Sequence, residues 1–131
     1  MKKFSLIALI AVVVLSLSAG AQKVNLKINL PKEGRAYIAD TLPRKYFAPT
    51  MLMVVAQDMK NNIAPENVEV KIKGPNSFFD KFNITGGTQR NYKSFPQDSV
   101  EVTVTKAGYK TVTFKALVKL PGVIAVRLDA E

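Results

Sequence analysis

Five carboxylates stand in or beside turn-forming residues: Asp40, Asp58, Glu66, Asp80 and Asp98. A pair of them could do general acid and base work, or several could collect around calcium, if the fold brought them together. Their spacing matches no calcium loop, and an aspartate in a turn ordinarily bonds its own backbone. The rest of the catalytic repertoire is narrower still. The chain has no histidine and no cysteine, which excludes Ser-His-Asp and Cys-His triads, histidine-ligated zinc and thiolate metal sites. Gly86-Gly87 lacks the lysine and helix that a phosphate-cradling loop needs, and no Ser-x-x-Lys occurs. No cofactor and no metal site are expected.

Binding chemistry has better material. Arg35, Tyr37, Arg44, Lys45, Tyr46 and Phe47 interleave basic and aromatic side chains within the irregular stretch Pro31 to Thr50, which holds three prolines and one glycine. Rings and guanidinium groups together stack on sugars or bases and pair with anions. The same residues would equally serve as a structural cap, with Tyr37, Tyr46 and Phe47 packed and the charges in water. A connection of that length inside a compact domain is either partly structured or functional. Asn76-Ser77-Phe78-Phe79 is a second aromatic feature, and adjacent phenylalanines in a loop read as a core plug.

The compartment is written at the start of the chain. Lys2 and Lys3 precede an apolar run from Phe4 to Leu17, followed by Ser18-Ala19-Gly20-Ala21, the layout of a secretory signal peptide. The fourteen residues of that run at ~1.5 Å each reach about 21 Å, short of the ~30 Å hydrocarbon layer. Cleavage after Ala21 is expected rather than anchoring, so the membrane is a partner only through an uncleaved leader. Residues 1–21 are thus read as leader and 22–131 as one mature domain of 110 residues, large enough to fold without disulfides. A composition that is 47% hydrophobic and 22% charged fits a domain with a true core. Its net charge is +9, or +7 once Lys2 and Lys3 are gone, a field that speeds encounters with anionic partners. No run of like charges exceeds Arg44-Lys45, so solvated strand faces explain the charge as well.

Hydrophobic alternation with a period of two dominates the mature chain. Lys23–Leu30 places Val24, Leu26, Ile28 and Leu30 on one face; Asn67–Lys73 does so with Val68, Val70 and Ile72; Ser99–Thr105 does so with Val100, Val102 and Val104. Gly74-Pro75-Asn76 is a turn. Met51–Ala56 is apolar at consecutive positions, which predicts a strand covered on both faces or at a corner. Tyr109–Leu117 carries Val112, Phe114 and Ala116 on one parity, and Val123–Leu128 carries Ile124, Val126 and Leu128. Gly86-Gly87-Thr88 predicts a hairpin that sets Phe82 opposite Tyr92. Seven to eight short strands with turns about every ten residues predict an all-β, single antiparallel β-sandwich of immunoglobulin-like or transthyretin-like type.

The runs Val68-Glu69-Val70-Lys71-Ile72-Lys73-Gly74 and Phe95-Pro96-Gln97-Asp98-Ser99-Val100-Glu101-Val102-Thr103-Val104-Thr105-Lys106-Ala107-Gly108-Tyr109-Lys110, with the closing Val126-Arg127-Leu128, resemble the carboxypeptidase regulatory-like domains. These transthyretin-like sandwiches are similar to surface-layer modules named for a Pro-Glu-Gly-Ala tetrapeptide. The resemblance covers residues 61–129 and makes 22–60 an N-terminal part of strands and irregular chain. The family's middle hairpin Asp and Gly are replaced by Gly86-Gly87-Thr88-Gln89-Arg90-Asn91, and Asp98 stands where a glycine usually follows the proline. The resemblance implies scaffolding or binding rather than catalysis. Gly108, between two strands, is expected to take a positive φ.

These observations lead to a secreted or periplasmic, non-enzymatic binding or structural module of the bacterial cell envelope, with an envelope protein or an anionic glycan as partner. A cationic binder of anionic glycans or nucleic acid is the alternative, and an uncharacterised hydrolase the third reading. The expected mature N-terminus is Gln22, because Ala19 and Ala21 stand where the peptidase reads small residues. Intact-mass measurement of exported protein checks this, and a mass that still includes Met1–Ala21 would refute it.

Overall fold

The structure is a computed structural model; it describes Pro31 and residues 35–131 in full, and residues 12–19 and 22–29 as backbone strands. Residues 1–11 of the expected leader and the expected cut after Ala21 lie outside the described residues. Strands β1 (Val12–Ala19) and β2 (Gln22–Asn29) pair antiparallel with each other, Leu15 opposite Leu26. The alternating stretch read from Lys23 onward is therefore a strand, and the strand it pairs with falls inside the expected leader.

The remaining elements are β3 (Tyr37–Thr41), β4 (Met51–Asp58), β5 (Val68–Lys73), β6 (Phe79–Ile84), β7 (Gly87–Asn91), β8 (Val100–Thr105), β9 (Val112–Ala116) and β10 (Gly122–Leu128). They form two four-stranded sheets, ordered β3-β10-β4-β7 and β6-β5-β8-β9. No helix occurs among the described residues. One core cluster draws Leu52, Val54, Ile124 and Val126 from the first sheet and Val70, Ile72, Val102 and Phe114 from the second, so the two sheets face each other in a sandwich-like arrangement. Alternation is what allows it. In β5 and β8 every second residue is a buried Val or Ile and the others reach solvent, as a sheet with one wet face requires.

Strand β4 behaves differently, as its unbroken apolar run predicts. Met51 through Ala56 are all buried. Leu52, Val54 and Ala56 point into the core between the sheets, while Met51, Met53 and Val55 form a second cluster on the outer face with Val123, Ala125, Leu42 and Phe47. Its neighbour β10 is parallel to it, Ile124 beside Val54, so the predicted antiparallel character holds for every pairing except this one. Parallel neighbours need a long crossover, and here it contains the whole of the second sheet together with β7.

Two expectations are corrected. Residues 31–50 are not wholly irregular, because Tyr37–Thr41 is an edge strand antiparallel to β10. Gly86 adopts a positive φ, +73°, but the turn is no hairpin. Strand β6 pairs with β5 and β7 pairs with β4, so the chain crosses from one sheet to the other, and Phe82 lies opposite Val70 rather than Tyr92. Strand β4 has a free flank that takes β7 away from β6. Gly108 takes φ +88° as expected. Gly122 answers a different need: a Cβ there would stand 2.5 Å from the Lys119 carbonyl oxygen.

The β6/β7 side of the sandwich is shut by a polar clasp. Asp80 accepts hydrogen bonds from Arg90 Nη2 at 2.8 Å and from the Tyr92 hydroxyl at 2.8 Å, and the Arg90 guanidinium lies 4.5 Å from the Phe82 ring centroid. Phe78, Tyr92 and Phe95 close the end with edge-on and tilted rings at 5.0–5.8 Å. Phe78 is thus half-buried in the plug that the sequence suggested, while Phe79 turns to solvent. A second clasp holds the loops. Asp58, 1% exposed, accepts from the Asn61 backbone N–H, the Asn61 side-chain amide and the Tyr109 hydroxyl.

Burial alone would raise the pKa of Asp80, but the Arg90 and Tyr92 hydrogen bonds and the Arg90 charge outweigh it and hold the carboxyl below its ordinary value. A carboxyl depressed in the folded state stabilises the fold fully above its unfolded pKa, about 3.9. That contribution is lost as the pH falls through the folded value. Asp80→Asn should therefore lower the melting temperature at neutral pH and flatten its acid decline below about pH 4. Parallel acid limbs for mutant and wild type would contradict this. Phe114, buried and stacked on Tyr37 at 3.8 Å, should cost about 3–5 kcal/mol when changed to alanine. Denaturant melts check it, and a loss under about 1 kcal/mol, the range of surface changes, would mean that the ring contributes no core packing.

Candidate functional site

Residues with alternating parity reach opposite sides of a strand, and so do their backbone groups. This places the free edge of β3. The Arg127 N–H donates to the Ala36 carbonyl and the Leu42 N–H to the Pro121 carbonyl, both at 2.9 Å, so even-numbered residues of β3 bond toward β10. Tyr37 and Ala39 therefore direct their N–H and C=O groups away from the sheet. Strand β9 lies across from them as the edge of the second sheet. The Tyr37 hydroxyl donates to the Lys115 carbonyl at 3.2 Å, so Lys115, and by parity Thr113, face the same side.

Between these edges runs an open groove of 650 Å³, bordered by Arg35, Ala36, Ala39, Lys115, Ala116 and Leu117. The Tyr37 ring lies flat on Phe114, with the ring planes 5° apart, and forms the floor. Small side chains along the walls leave the backbone reachable, and Leu117, 53% exposed, adds an apolar lip. The lining includes two cations and no carboxylate.

The six residues singled out from the sequence divide among three places. Arg35 and Tyr37 line the groove, though Tyr37 offers only part of its ring because Phe114 covers one face. Arg44, Lys45 and Tyr46 lie beyond the far end of β3, in a turn closed by the Tyr46 N–H and the Pro43 carbonyl at 3.1 Å. Arg44 and Lys45 are exposed, and Lys45 Nζ stands 5.6 Å from the Tyr46 ring centroid. Phe47, 6% exposed, packs beneath the outer face of β4. The intervening strand of five residues, at ~3.3 Å per residue, keeps the two solvent-facing groups about 16 Å apart.

Sequence reasoning did not select Lys115, Leu117 or Ser99 as part of a site. Alternation assigns Phe114 to the core and Lys115 to solvent, and both are true, but only strand order makes β9 an edge facing β3. The five turn carboxylates do not assemble either. Asp40 accepts from the Thr41 N–H, Asp58 and Asp80 serve the two clasps, and no group of three acidic residues close enough to hold a metal occurs among the described residues.

Arg90 and Tyr92 were likewise invisible as partners of Asp80, because they are ten and twelve residues away across a change of sheet. Their titration follows from the contact. Asp80 raises the pKa of Arg90 against the effect of burial, while burial first and Asp80 second push the Tyr92 hydroxyl upward. Neither group is poised for proton transfer near neutrality, and the cluster acts as a clasp. No family model, no curated protein and no solved structure matches this chain.

Proposed function

We propose that this protein is an exported, non-enzymatic binding or structural module of the bacterial cell envelope, acting in the periplasm or outside the cell. The observation that carries this reading is the groove between β3 and β9, where two strand edges and two cations meet. Exposed strand edges are templates for pairing with another chain, and a groove of this size is large enough for a ligand. The leader-like residues 1–21 support the location.

The assignment of residues 61–129 to the carboxypeptidase regulatory-like, transthyretin-like domains belongs to the same proposal. It is supported by the inward Val and Ile of β5 and β8 and by the tight turn at Gly108 before Tyr109-Lys110. Strand β4, outside that stretch, sits between β10 and β7, so this chain would be a variant in which the N-terminal part completes a sheet.

A second reading, a cationic binder of anionic glycans or nucleic acid, is favoured by the exposure of Arg44 and Lys45 beside Tyr46. Heparin and DNA titrations of wild type and the Arg44→Ala/Lys45→Ala double mutant separate the two. The envelope-module reading expects weak polyanion association that the double mutation leaves unchanged, with stability equal in both proteins because exposed charges contribute little to folding. Loss of affinity in the mutant together with a shallower salt dependence, as fewer counterions are released, would replace it with the second reading.

A further inference from the structure

The geometry points to the β9 edge of the groove as a strand-addition site for an extended acidic segment of a partner protein. The inference rests on the binding-module reading and names the chemistry of what is bound. Four observations converge on it. Thr113 and Lys115 present backbone groups outward, by the parity that the Tyr37–Lys115 hydrogen bond establishes, and no strand among the described residues pairs with that side of β9. An incoming strand would continue the order β6-β5-β8-β9 by one position, matching N–H and C=O groups with the spacing of the existing ladder.

Side-chain chemistry selects the segment. In a strand, alternate residues point to opposite faces, so one set would enter the groove against Ala39 and Ala116 and would have to be small or apolar. The other set would stand on the solvent face beside Lys115. Arg35 and Lys115 both border the groove without an ion-pair partner among the described residues, and no carboxylate lines it. Glutamate or aspartate at alternate positions would supply the missing charge, and repulsion would reject a basic strand.

The opposite side of the sandwich shows what a seam looks like when the chain itself fills it. There Asp80, Arg90 and Tyr92 bond across the sheets and three further aromatic contacts seal the end. At the β3/β9 seam a stacked ring pair holds the sheets together and leaves the edges open. The single hydrogen bond on the Lys115 carbonyl, from the Tyr37 hydroxyl at 3.2 Å, is long enough to yield to a backbone donor.

The test uses the exported chain and three synthetic octapeptides. One alternates valine and glutamate, one alternates valine and lysine, and one is the acidic peptide with every second amide N-methylated on its pairing edge. Amide NMR should show the acidic peptide shifting and protecting Thr113 and Lys115, with neither control doing so. Lys115→Pro removes an outward N–H and Lys115→Glu reverses the charge, and each should weaken binding about tenfold, the scale of one hydrogen bond. Unchanged melts would show that both variants fold; Lys115→Ala replaces either one that does not.

Equal binding of the acidic and basic peptides, binding of the methylated peptide, or no binding at all would overturn the proposal. So would sedimentation showing that a second copy of the chain occupies the same amides. None of these results touches export or the polyanion titration, so a failure here is distinguishable from failure of the envelope-module reading.

Discussion

Neither face of β4 can be left in water. Six consecutive apolar residues, Met51 to Ala56, carry their side chains to both sides of the sheet, and leaving either set exposed would forfeit roughly 1.5–3 kcal/mol per large side chain. The strand therefore has to be internal to its sheet and covered twice. Strands β10 and β7 flank it, the second sheet covers one face, and Leu42 and Phe47 from the preceding connection pack on the other.

Much of the remaining architecture follows from that requirement. Because β7 must flank β4, the chain after β6 cannot fold back as a hairpin and instead crosses between sheets at Gly86. Strand β10 occupies the other flank, parallel to β4, and β3 is left as the outer strand. Strand β4, which precedes position 61, is built into its sheet between β10 and β7, two strands from later in the chain. The connection 42–50 is a cover in part, which draws Phe47 inward and leaves Arg44 and Lys45 outside.

Two lateral seams remain where the sheets meet, and they are closed by different physics. Asp80 and Arg90 are partly buried opposite charges whose hydrogen bonds offset their lost hydration, with Tyr92 adding a further donor. The contact is directional and depends on an ionised carboxylate. At the other seam Tyr37 and Phe114 stack face to face, a contact largely independent of pH that leaves backbone edges uncovered. Asp58 contributes in the same manner as Asp80. Three donors satisfy it in an almost dry position, and removing them would leave an uncompensated charge. One seam thus joins an ion pair to a cluster of rings, the other rests on a single stacked ring pair, and the groove belongs to the second.

Local chemistry determined a great deal by itself. The period-two run in β2 identifies a strand, and the runs in β5 and β8 with the parity of β9 and β10 identify strands and inward residues, because side chains on a strand alternate whatever the strand pairs with. Double burial of β4 follows from its continuous apolar run, and the positive φ of Gly86 and Gly108 from the residue type that tolerates it. Missing histidine and cysteine exclude whole classes of chemistry without any fold. What tertiary structure alone decided is adjacency. A period of two is silent on which strand lies beside which, in what direction, and where a sheet ends. The sequence therefore could not reveal that β10 is parallel to β4, that Gly86 turns between sheets, or that Asp80 meets Arg90. Nor could it show that Arg35 and Tyr37 part from Arg44 and Tyr46 to join Lys115 and Leu117, because a groove between two edge strands exists only once the strand order has made them edges.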